Sequence, residues 1–311
     1  LVNNYTLGMK AYGASAGHAD NLVFDGLISF NNGSPGHYTG SPTGLDETWR
    51  WGNIEIGADV NPSNTVTVKN ASMYHLPNKT VQFGGLSFGR EGTSGNTNGL
   101  VQDNYIAEPY GTLLSAFSWT NLQVTGNTLV INQPDAFTNL VALKDSPNTG
   151  LSWNNNTYHS PTAILNCFGG SRRAPFFITN VTSTCGQFLD WTDWKLARGF
   201  DVNSTYSESL PTVNKIVVRP NQYEVGRGNI AVYNWQNLNS ASVDISSLGL
   251  VAGQYYEVRN AENYTGAPIL TTQYGGGTHI SIPLASMTIA TPIGSVYTPT
   301  SVCPKFCSFV L

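Results

Sequence analysis

The sequence predicts an all-β fold in which a parallel β-helix, a solenoid of stacked coils, is followed by a small antiparallel β-sandwich. Only 11% of the residues are charged, while glycine and small polar residues are abundant, and this composition suits short strands joined by turns better than exposed helices. A strand-like segment that ends in asparagine recurs along the first two-thirds of the chain. In the last third, strand-like runs follow one another at intervals of about a dozen residues.

The recurring segment is the observation that predicts a solenoid. It occupies residues 66–70, 100–104, 122–127, 151–156 and 176–180, and its final asparagines lie 34, 23, 29 and 24 positions apart. A second β-rich segment precedes each copy, and one period is stretched by a glycine-rich insertion. Two strands in every period of roughly 22 to 30 residues are typical of a β-solenoid, whose coils stack on their neighbours and bury a continuous core.

The repeated asparagines are predicted to be structural. At a coil corner, asparagine tolerates the left-handed conformation, and its amide can hydrogen-bond to the asparagine of the next coil. We therefore expect a ladder of Asn70, Asn104, Asn127, Asn156 and Asn180, with Gly26 at the corner of an earlier coil.

Three segments follow from these patterns. Residues 1–187 are predicted to form the parallel β-helix. Residues 188–213 are predicted to be a connector or cap, because 188–199 has apolar residues near helical spacing and ends in Gly199. Residues 214–311 are predicted to form the β-sandwich, with strands at 215–219, 229–233, 241–245, 255–259, 269–272 and 279–282.

Charge and hydropathy exclude two classes of partner. The formal net charge is −4, and the longest basic cluster is Arg172-Arg173, so little is available to neutralise a nucleic-acid backbone. No run approaches the roughly 20 apolar residues of a membrane-spanning helix. The chain starts at Leu1 without methionine or a signal-like segment, which favours a mature or excised portion of a longer protein.

The cysteines and the glycosylation tripeptides each allow two interpretations, one of which is an exported protein. The four cysteines lack zinc-site spacing, which leaves two interpretations: free buried thiols, or disulfides pairing Cys167 with Cys185 and Cys303 with Cys307. Acceptor tripeptides for N-glycosylation occur at Asn4, Asn32, Asn70, Asn78, Asn155, Asn180, Asn203 and Asn263, although an asparagine- and threonine-rich chain also produces them by chance.

Residues 194–204, 219–235 and 256–264 carry a family resemblance. In them the chain resembles bacterial right-handed parallel β-helix repeat proteins of the pectate-lyase-like superfamily that end in a small β-sandwich. The resemblance implies a secreted or surface protein, in a superfamily that includes polysaccharide lyases, glycoside hydrolases and structural fibres. Within these segments, we expect Arg227 to hold a strand edge, Asn234 and Trp235 to fill the sandwich core, and Asp201 with Ser204 to tie the connector to the last coil.

Candidate catalytic residues lie on or just after the first strand of each coil. They are Glu91, Asp145, Lys144 and Arg172, with Glu55, Asp59, Arg90, Asp135 and Arg173 near them. A glycoside hydrolase needs two carboxyl groups roughly 5 to 9 Å apart, which Glu55, Glu91, Asp135 and Asp145 would have to supply. A lyase needs a base such as Lys144 or Arg172 beside a cation or Ca²⁺. The simpler interpretation of each residue is a solvated surface charge.

A long loop between early coils carries the candidate carbohydrate-binding residues Tyr38, Trp49 and Trp51. Long loops in compact domains are often functional, and aromatic faces stack on sugar rings. The alternative is a loop folded back to cap the solenoid. His18 and His75 are isolated in sequence and show no metal-ligand spacing.

These observations lead to two alternative functions. The first is an extracellular or cell-surface protein that binds or cleaves polysaccharide, either as a lyase or glycoside hydrolase or as a binding module without turnover. The second is a non-catalytic, glycosylated structural protein that forms filaments by self-association, because uncapped solenoid ends can pair through their strands. No cofactor is expected, apart from Ca²⁺ if the chain is a lyase.

Overall fold

The computed structural model describes most of the chain, and its main secondary structure is β-strand. The all-β prediction is therefore confirmed. Two compact units are present, one formed by described residues up to Leu210 and the other by Pro211–Leu311. The described residues are 1–4, 7–13, 17–32, 52–58, 60–76, 84–89, 95–109, 111–133, 138–144, 149–161, 175–179, 187–291 and 298–311.

The first unit contains eighteen described strands and one helix. In chain order they are β1 (Met9–Gly13), β2 (Leu22–Asp25), β3 (Ile28–Phe30), β4 (Ile54–Ala58), β5 (Asn64–Lys69), β6 (Ser72–Tyr74), β7 (Leu86–Phe88), β8 (Asn96–Gln102), β9 (Tyr105–Glu108), β10 (Thr112–Phe117), β11 (Trp119–Thr125), β12 (Thr128–Ile131), β13 (Asn139–Lys144), β14 (Ser152–Asn154), β15 (Thr157–His159), β16 (Phe176–Ile178), β17 (Phe188–Leu189), α1 (Trp191–Arg198) and β18 (Thr205–Ser207).

These strands form three sheets, which the chain visits in turn. The orders are β1-β4-β7-β10-β13-β16-β17 in the first sheet, β2-β5-β8-β11-β14 in the second and β3-β6-β9-β12-β15-β18 in the third. All pairs are parallel except β16 with β17. The sequence predicted two strands per period, and the structure has three.

The core of the first unit consists of apolar rows that run across the sheets. Because side chains alternate along a strand, one residue of each strand joins each inward row. In the first sheet a buried row is Ile54, Leu86, Leu114, Val141 and Phe176. Each such side chain contributes about 1.5–3 kcal/mol by leaving water, so the register of every new strand is fixed by the row that it extends.

An asparagine ladder links three corners between the second and third sheets. The backbone N and Nδ2 of Asn104 donate to Asn127 Oδ1 at 3.1 and 2.9 Å. Asn127 donates in the same way to Asn156 Oδ1 at 3.0 and 3.1 Å, and Asn156 Nδ2 donates to Asp201 Oδ1 at 3.0 Å. The ladder predicted for Asn104, Asn127 and Asn156 is therefore present, and it ends on an aspartate.

Two details of the predicted ladder need correction. Asn70 is not a member, because Ala71 stands at the ladder position, and Asn70 Nδ2 donates to Asp25 Oδ1 at 2.8 Å. Asn180 lies outside the described residues, and its segment forms β16 of the first sheet rather than a strand of the second. The left-handed residue of the corner is the one before the ladder position: Gly26, Asn70, Asp103, Gly126 and Asn155 have φ between 52° and 76°.

A second buried polar row lies at the ends of the third-sheet strands. His75 Nδ1 contacts Glu108 Oε2, and His75 Nε2 contacts the Asn32 carbonyl oxygen. Asn53 Nδ2 donates to Glu108 Oε1 at 2.9 Å, and Asn53 Oδ1 accepts from Asn32 Nδ2 at 2.9 Å. All four side chains are at most 1% exposed. The row satisfies its polar groups internally, as buried polar groups require, and nothing in it is open to a ligand.

The predicted connector, 188–213, belongs largely to the first unit. β17 pairs with β16, and β18 extends the third sheet. The helical segment predicted within 188–199 is α1, which Asp190 caps by accepting from Asp193 N at 2.7 Å and which ends at left-handed Gly199. The division between the units falls after Leu210.

No described helix is long and apolar enough to cross a membrane.

Asp201 joins the end of α1 to Asn156 and to Tyr158 of β15, in line with the expectation that Asp201 and Ser204 tie the predicted connector to the strands before it. Its Oδ2 accepts from Trp194 Nε1 at 2.7 Å and from the Tyr158 hydroxyl at 2.9 Å. Its Oδ1 accepts from Ser204 Oγ and Asn156 Nδ2. The residue is 1% exposed, so this carboxylate replaces its water shell with four protein donors.

Two tyrosines beside this cluster predict an alkaline loss of stability. Burial, and then the Asp201 charge, raises the pKa of Tyr158 well above its ordinary value, and burial raises the pKa of Tyr206 to about 12. The fold therefore favours the neutral phenols. Their contribution is complete below the unfolded pKa of about 10 and declines as the pH rises towards the folded values. Urea unfolding between about pH 8 and pH 11 should show this decline, and Tyr206→Phe should make it shallower; a flat profile for both proteins would contradict it.

The second unit is antiparallel. Its strands are β19 (Lys215–Pro220), β20 (Gly228–Tyr233), β21 (Ser240–Asp244), β22 (Tyr255–Asn260), β23 (Leu270–Gln273), β24 (His279–Pro283) and β25 (Phe306–Val310), with short 3₁₀ helices at Ser246–Leu248 and Ala261–Asn263. One sheet has the order β19-β20-β25-β22-β23, and β21 pairs with β24. The six predicted strands are all present, and β25 is an addition.

Both sheets of the second unit contribute to one apolar core. The core includes Val232 of β20, Val243 of β21, Val258 of β22, Ile282 of β24 and Phe309 of β25. Strand β25 pairs with β20 and β22, so it is central to its sheet. A disulfide joins Cys303 to Cys307 at the start of this strand, as the oxidised alternative predicts. Cys167 and Cys185 lie outside the described residues.

Candidate functional site

Few of the predicted catalytic residues fall where the structure describes them. Lys144 ends β13, and its Nζ lies 5.1 Å from the Phe117 ring centroid. Glu55 is on the outward side of β4 but only 3% exposed, and its Oε2 lies 3.5 Å from Lys10 Nζ. Outside the described residues lie Glu91, Asp145, Arg172, Asp59, Arg90, Asp135 and Arg173, together with the aromatic candidates Tyr38, Trp49 and Trp51. Within the described ranges, the outward face of the first sheet provides no pair of facing carboxylates.

The described acceptor asparagines differ in accessibility. Asn32 is fully buried, and its Nδ2 donates to Ser29 Oγ, Asn53 Oδ1 and the Leu1 carbonyl oxygen, so no glycan is expected there. Asn4, Asn155 and Asn203 are exposed, whereas Asn70 and Asn263 are half-buried. Asn78 and Asn180 lie outside the described residues. In the part of the chain that is described, no three histidine, cysteine or acidic side chains come together as metal ligands.

A pocket of about 310 Å³ lies on the second unit. We call it the tyrosine–arginine pocket, and it is lined by Glu224, Val225, Gly226, Arg227, Leu250, Gln254, Tyr255, Tyr256, Glu257, Arg259, Tyr264, Val310 and Leu311. Three segments supply its polar side chains: the turn between β19 and β20, strand β22 with Gln254 just before it, and Tyr264 just after the 3₁₀ helix that follows β22. All of these residues belong to one compact unit.

Strand β22 places three polar side chains on one face. Its burial alternates, so Tyr256 and Val258 point into the core while Tyr255, Glu257 and Arg259 point outward. Tyr255 is 78% exposed. Its ring face is therefore open to solvent beside the pocket, where it can cover the apolar face of a ligand.

Arg259 holds the far end of the pocket in place. Its Nε and Nη2 both donate to Glu257 Oε2, at 3.0 and 2.6 Å. Its Nη1 donates to the carbonyl oxygens of Tyr264 and Gly266 at 3.2 and 2.9 Å. The guanidinium therefore uses almost all of its donors within the protein, and its role is to position Glu257 and the Tyr264 segment.

Arg227 differs from Arg259 in that most of its hydrogen-bond donors remain available to a ligand. Asn221 Oδ1 accepts from Tyr223 N and Glu224 N and so shapes the turn. Arg227 Nη1 donates to Glu224 Oε2 at 2.9 Å, and Nη2 approaches the Tyr264 hydroxyl at 3.4 Å. The hydrogen bond to Glu224 raises the pKa of Arg227 above its ordinary value. The Nε–H and one hydrogen on each terminal nitrogen have no partner among the described residues.

The pocket therefore offers an alternation of donors, acceptors and ring faces. The donors are Arg227 and the Gln254 amide, whose oxygen already accepts from Val251 N at 2.7 Å. The acceptors are the second carboxylate oxygens of Glu224 and Glu257, and the exposed rings are Tyr255 and Tyr264. Such a site matches a small, polyhydroxylated ligand with one apolar face.

The segments that form this pocket carry a sequence signal, but not one of a binding site. Residues 219–235 and 256–264 carried the family resemblance, and Arg227 was predicted to hold a strand edge. In the structure the Arg227 side chain is exposed and lines the pocket, and its carbonyl oxygen accepts from Asn221 N at 2.9 Å directly before β20. The sequence signal that could have indicated the site is the alternation of core and polar side chains in 255–259. This alternation puts Tyr255, Glu257 and Arg259 on one face of the strand.

No protein-family model matches this chain, and neither does any curated protein or solved structure compared with it. The function is therefore inferred from the residues and their geometry.

Proposed function

We propose that this chain is an extracellular carbohydrate-binding protein and that the tyrosine–arginine pocket holds the sugar. The observation that carries the proposal is the combination of exposed Tyr255 and Tyr264 rings with Arg227 and Glu224 around one pocket. Sugars present hydroxyl groups at their edges and C–H groups on their faces. Arginine and carboxylate groups bind the hydroxyls by charge-assisted hydrogen bonds, while tyrosine covers the face at little entropic cost.

The proposed architecture is a right-handed parallel β-helix followed by a β-sandwich. The rotation of the chain through three parallel sheets and the asparagine ladder support the first part. The shared core of the two antiparallel sheets supports the second. The Cys303–Cys307 disulfide supports an oxidising, extracellular location.

Binding is favoured over cleavage at this pocket. Glycoside hydrolysis requires one carboxylic acid that donates a proton and a second carboxylate. Glu224 and Glu257 each accept hydrogen bonds from an arginine, so both carboxyl groups serve as hydrogen-bond acceptors that position the arginines. We therefore expect glycan to be bound without product.

Arg227→Ala should weaken glycan binding by about tenfold or more, because hydrogen bonds to a charged group contribute about 1.5–3 kcal/mol. Tyr255→Ala should weaken it about three- to tenfold through loss of stacking. Binding would be found on an immobilised oligosaccharide array and measured by calorimetry. Both side chains are largely exposed, so thermal unfolding should change little.

Tyr223→Ala is the matched control. Tyr223 is 89% exposed and does not line the pocket, so its variant should bind glycan like the unaltered protein. If Arg227→Ala and Tyr255→Ala bind glycan as tightly as the unaltered protein does, the pocket is not the glycan-binding site.

A further inference from the structure

We infer that the tyrosine–arginine pocket recognises the terminal one or two residues of an uncharged glycan rather than the interior of a polysaccharide or a uronate. This inference rests on the proposed function and specifies its ligand class. Three features of the pocket carry it: its size, the contact that joins two of its walls, and the pairing of its charges.

Size limits the length of glycan that fits. The pocket holds about 310 Å³, at the low end of the range of about 300–1,000 Å³ for small-molecule sites. The interior of a polysaccharide needs a cleft that is open at both ends. A pocket at this end of the range instead suits one or two sugar rings.

Two lining segments meet at one side of the pocket. Arg227 Nη2 and the Tyr264 hydroxyl are 3.4 Å apart, and Arg259 Nη1 holds the Tyr264 backbone by donating to its carbonyl oxygen. The turn between β19 and β20 is thereby joined to the segment after β22. This contact narrows one side of the pocket, and a glycan chain seated against Tyr255 would leave on another side.

Charge pairing selects an uncharged ligand. The charged lining residues are two glutamates and two arginines, and each arginine already contacts a glutamate. A uronate carboxylate that reached the open donors of Arg227 would lie beside the carboxylate of Glu224, whose Oε2 is 2.9 Å from Arg227 Nη1. Like charges placed together in a binding site are strongly unfavourable, whereas hydroxyl groups use the same donors and acceptors without this penalty.

The test compares glycans by length and charge. Calorimetry would use glucose, mannose, galactose and xylose oligomers from monosaccharide to hexasaccharide, with galacturonate oligomers of the same lengths. For the neutral series that binds, we expect affinity to rise from monosaccharide to disaccharide and then to change by less than about twofold. Galacturonate oligomers should bind at least about tenfold more weakly. Glu224→Gln removes one carboxylate from an exposed position. This variant should show a smaller difference in affinity between the neutral and the galacturonate oligomers.

The outcomes separate the inference from the proposed function. Affinity that keeps rising to the hexasaccharide, or galacturonate bound as tightly as the neutral series, would overturn the inference while Arg227-dependent glycan binding stands. Absence of Arg227-dependent binding to every glycan in the series would overturn both.

Discussion

Asp201→Asn is expected to lower the free energy of unfolding of the first unit by about 3–5 kcal/mol, because breaking a buried charged network leaves its partners uncompensated. The carboxylate accepts from Trp194 and Tyr158 with one oxygen and from Ser204 and Asn156 with the other. An asparagine amide has one acceptor oxygen, so its NH₂ group must face two donors. The loss should appear in urea unfolding followed by tryptophan fluorescence.

Asp103→Asn provides the matched control for this substitution. Asp103 is exposed and has φ of 52°, a conformation that asparagine tolerates. We expect a change within about 0.5 kcal/mol. If Asp201→Asn were as stable as Asp103→Asn, Asp201 would not be the residue that closes the end of the first unit.

Glu108→Ala is expected to have an effect of similar size, about 3–5 kcal/mol. The side chain is completely buried and contacts the His75 ring and the Asn53 amide. Its removal takes the carboxylate partner from His75 Nδ1 and one acceptor from Asn53 Nδ2, which keeps the longer contact to the Tyr74 carbonyl oxygen. It also opens a cavity in a closely packed corner. Chemical unfolding monitored by circular dichroism would measure the loss.

Glu108→Gln separates the hydrogen bonds from the charge. Glutamine can still accept from Asn53 Nδ2, so it should destabilise the first unit less than alanine does. A double-mutant cycle with His75→Ala should give a coupling energy above about 1 kcal/mol. Additive losses would mean that the two side chains stabilise the fold independently.

The strands were largely predictable because the signals that define them are local. In the second unit the predicted run 255–259 becomes β22 and 279–282 becomes β24, since alternating apolar residues and turns suffice to identify such strands. β25 was missed. Its buried sequence, FCSFV, shows no alternation, and its place between β20 and β22 depends on pairing over a long sequence separation.

The ladder shows where a periodic pattern is ambiguous. Asn70 and Asn104 look equivalent as the last residues of similar segments, yet Asn70 occupies the left-handed corner and Asn104 the following buried position. A shift of one residue moves a side chain from outside to inside. Composition alone does not reveal that shift. Asp201 could not be predicted as a ladder member either, because it follows the helix α1 and lies outside the asparagine repeat in the sequence.

The pocket was not predictable as a site because its parts are distant in sequence. Arg227, Tyr255 and Tyr264 come from separate elements, and only folding brings them around one cavity. Tyr38, Trp49 and Trp51 lie outside the described residues, and the sugar-binding role that the sequence suggests for them stays a prediction.

The most direct test of carbohydrate binding at this pocket is an NMR titration of protein carrying ¹³C-labelled tyrosine with the neutral disaccharide that binds best. The ring signals of Tyr255 and Tyr264 should shift in a saturable manner, with the affinity measured by calorimetry, while those of buried Tyr158 and Tyr233 should stay in place. Unchanged signals from Tyr255 and Tyr264 at saturating disaccharide would contradict the assignment of the sugar to this pocket.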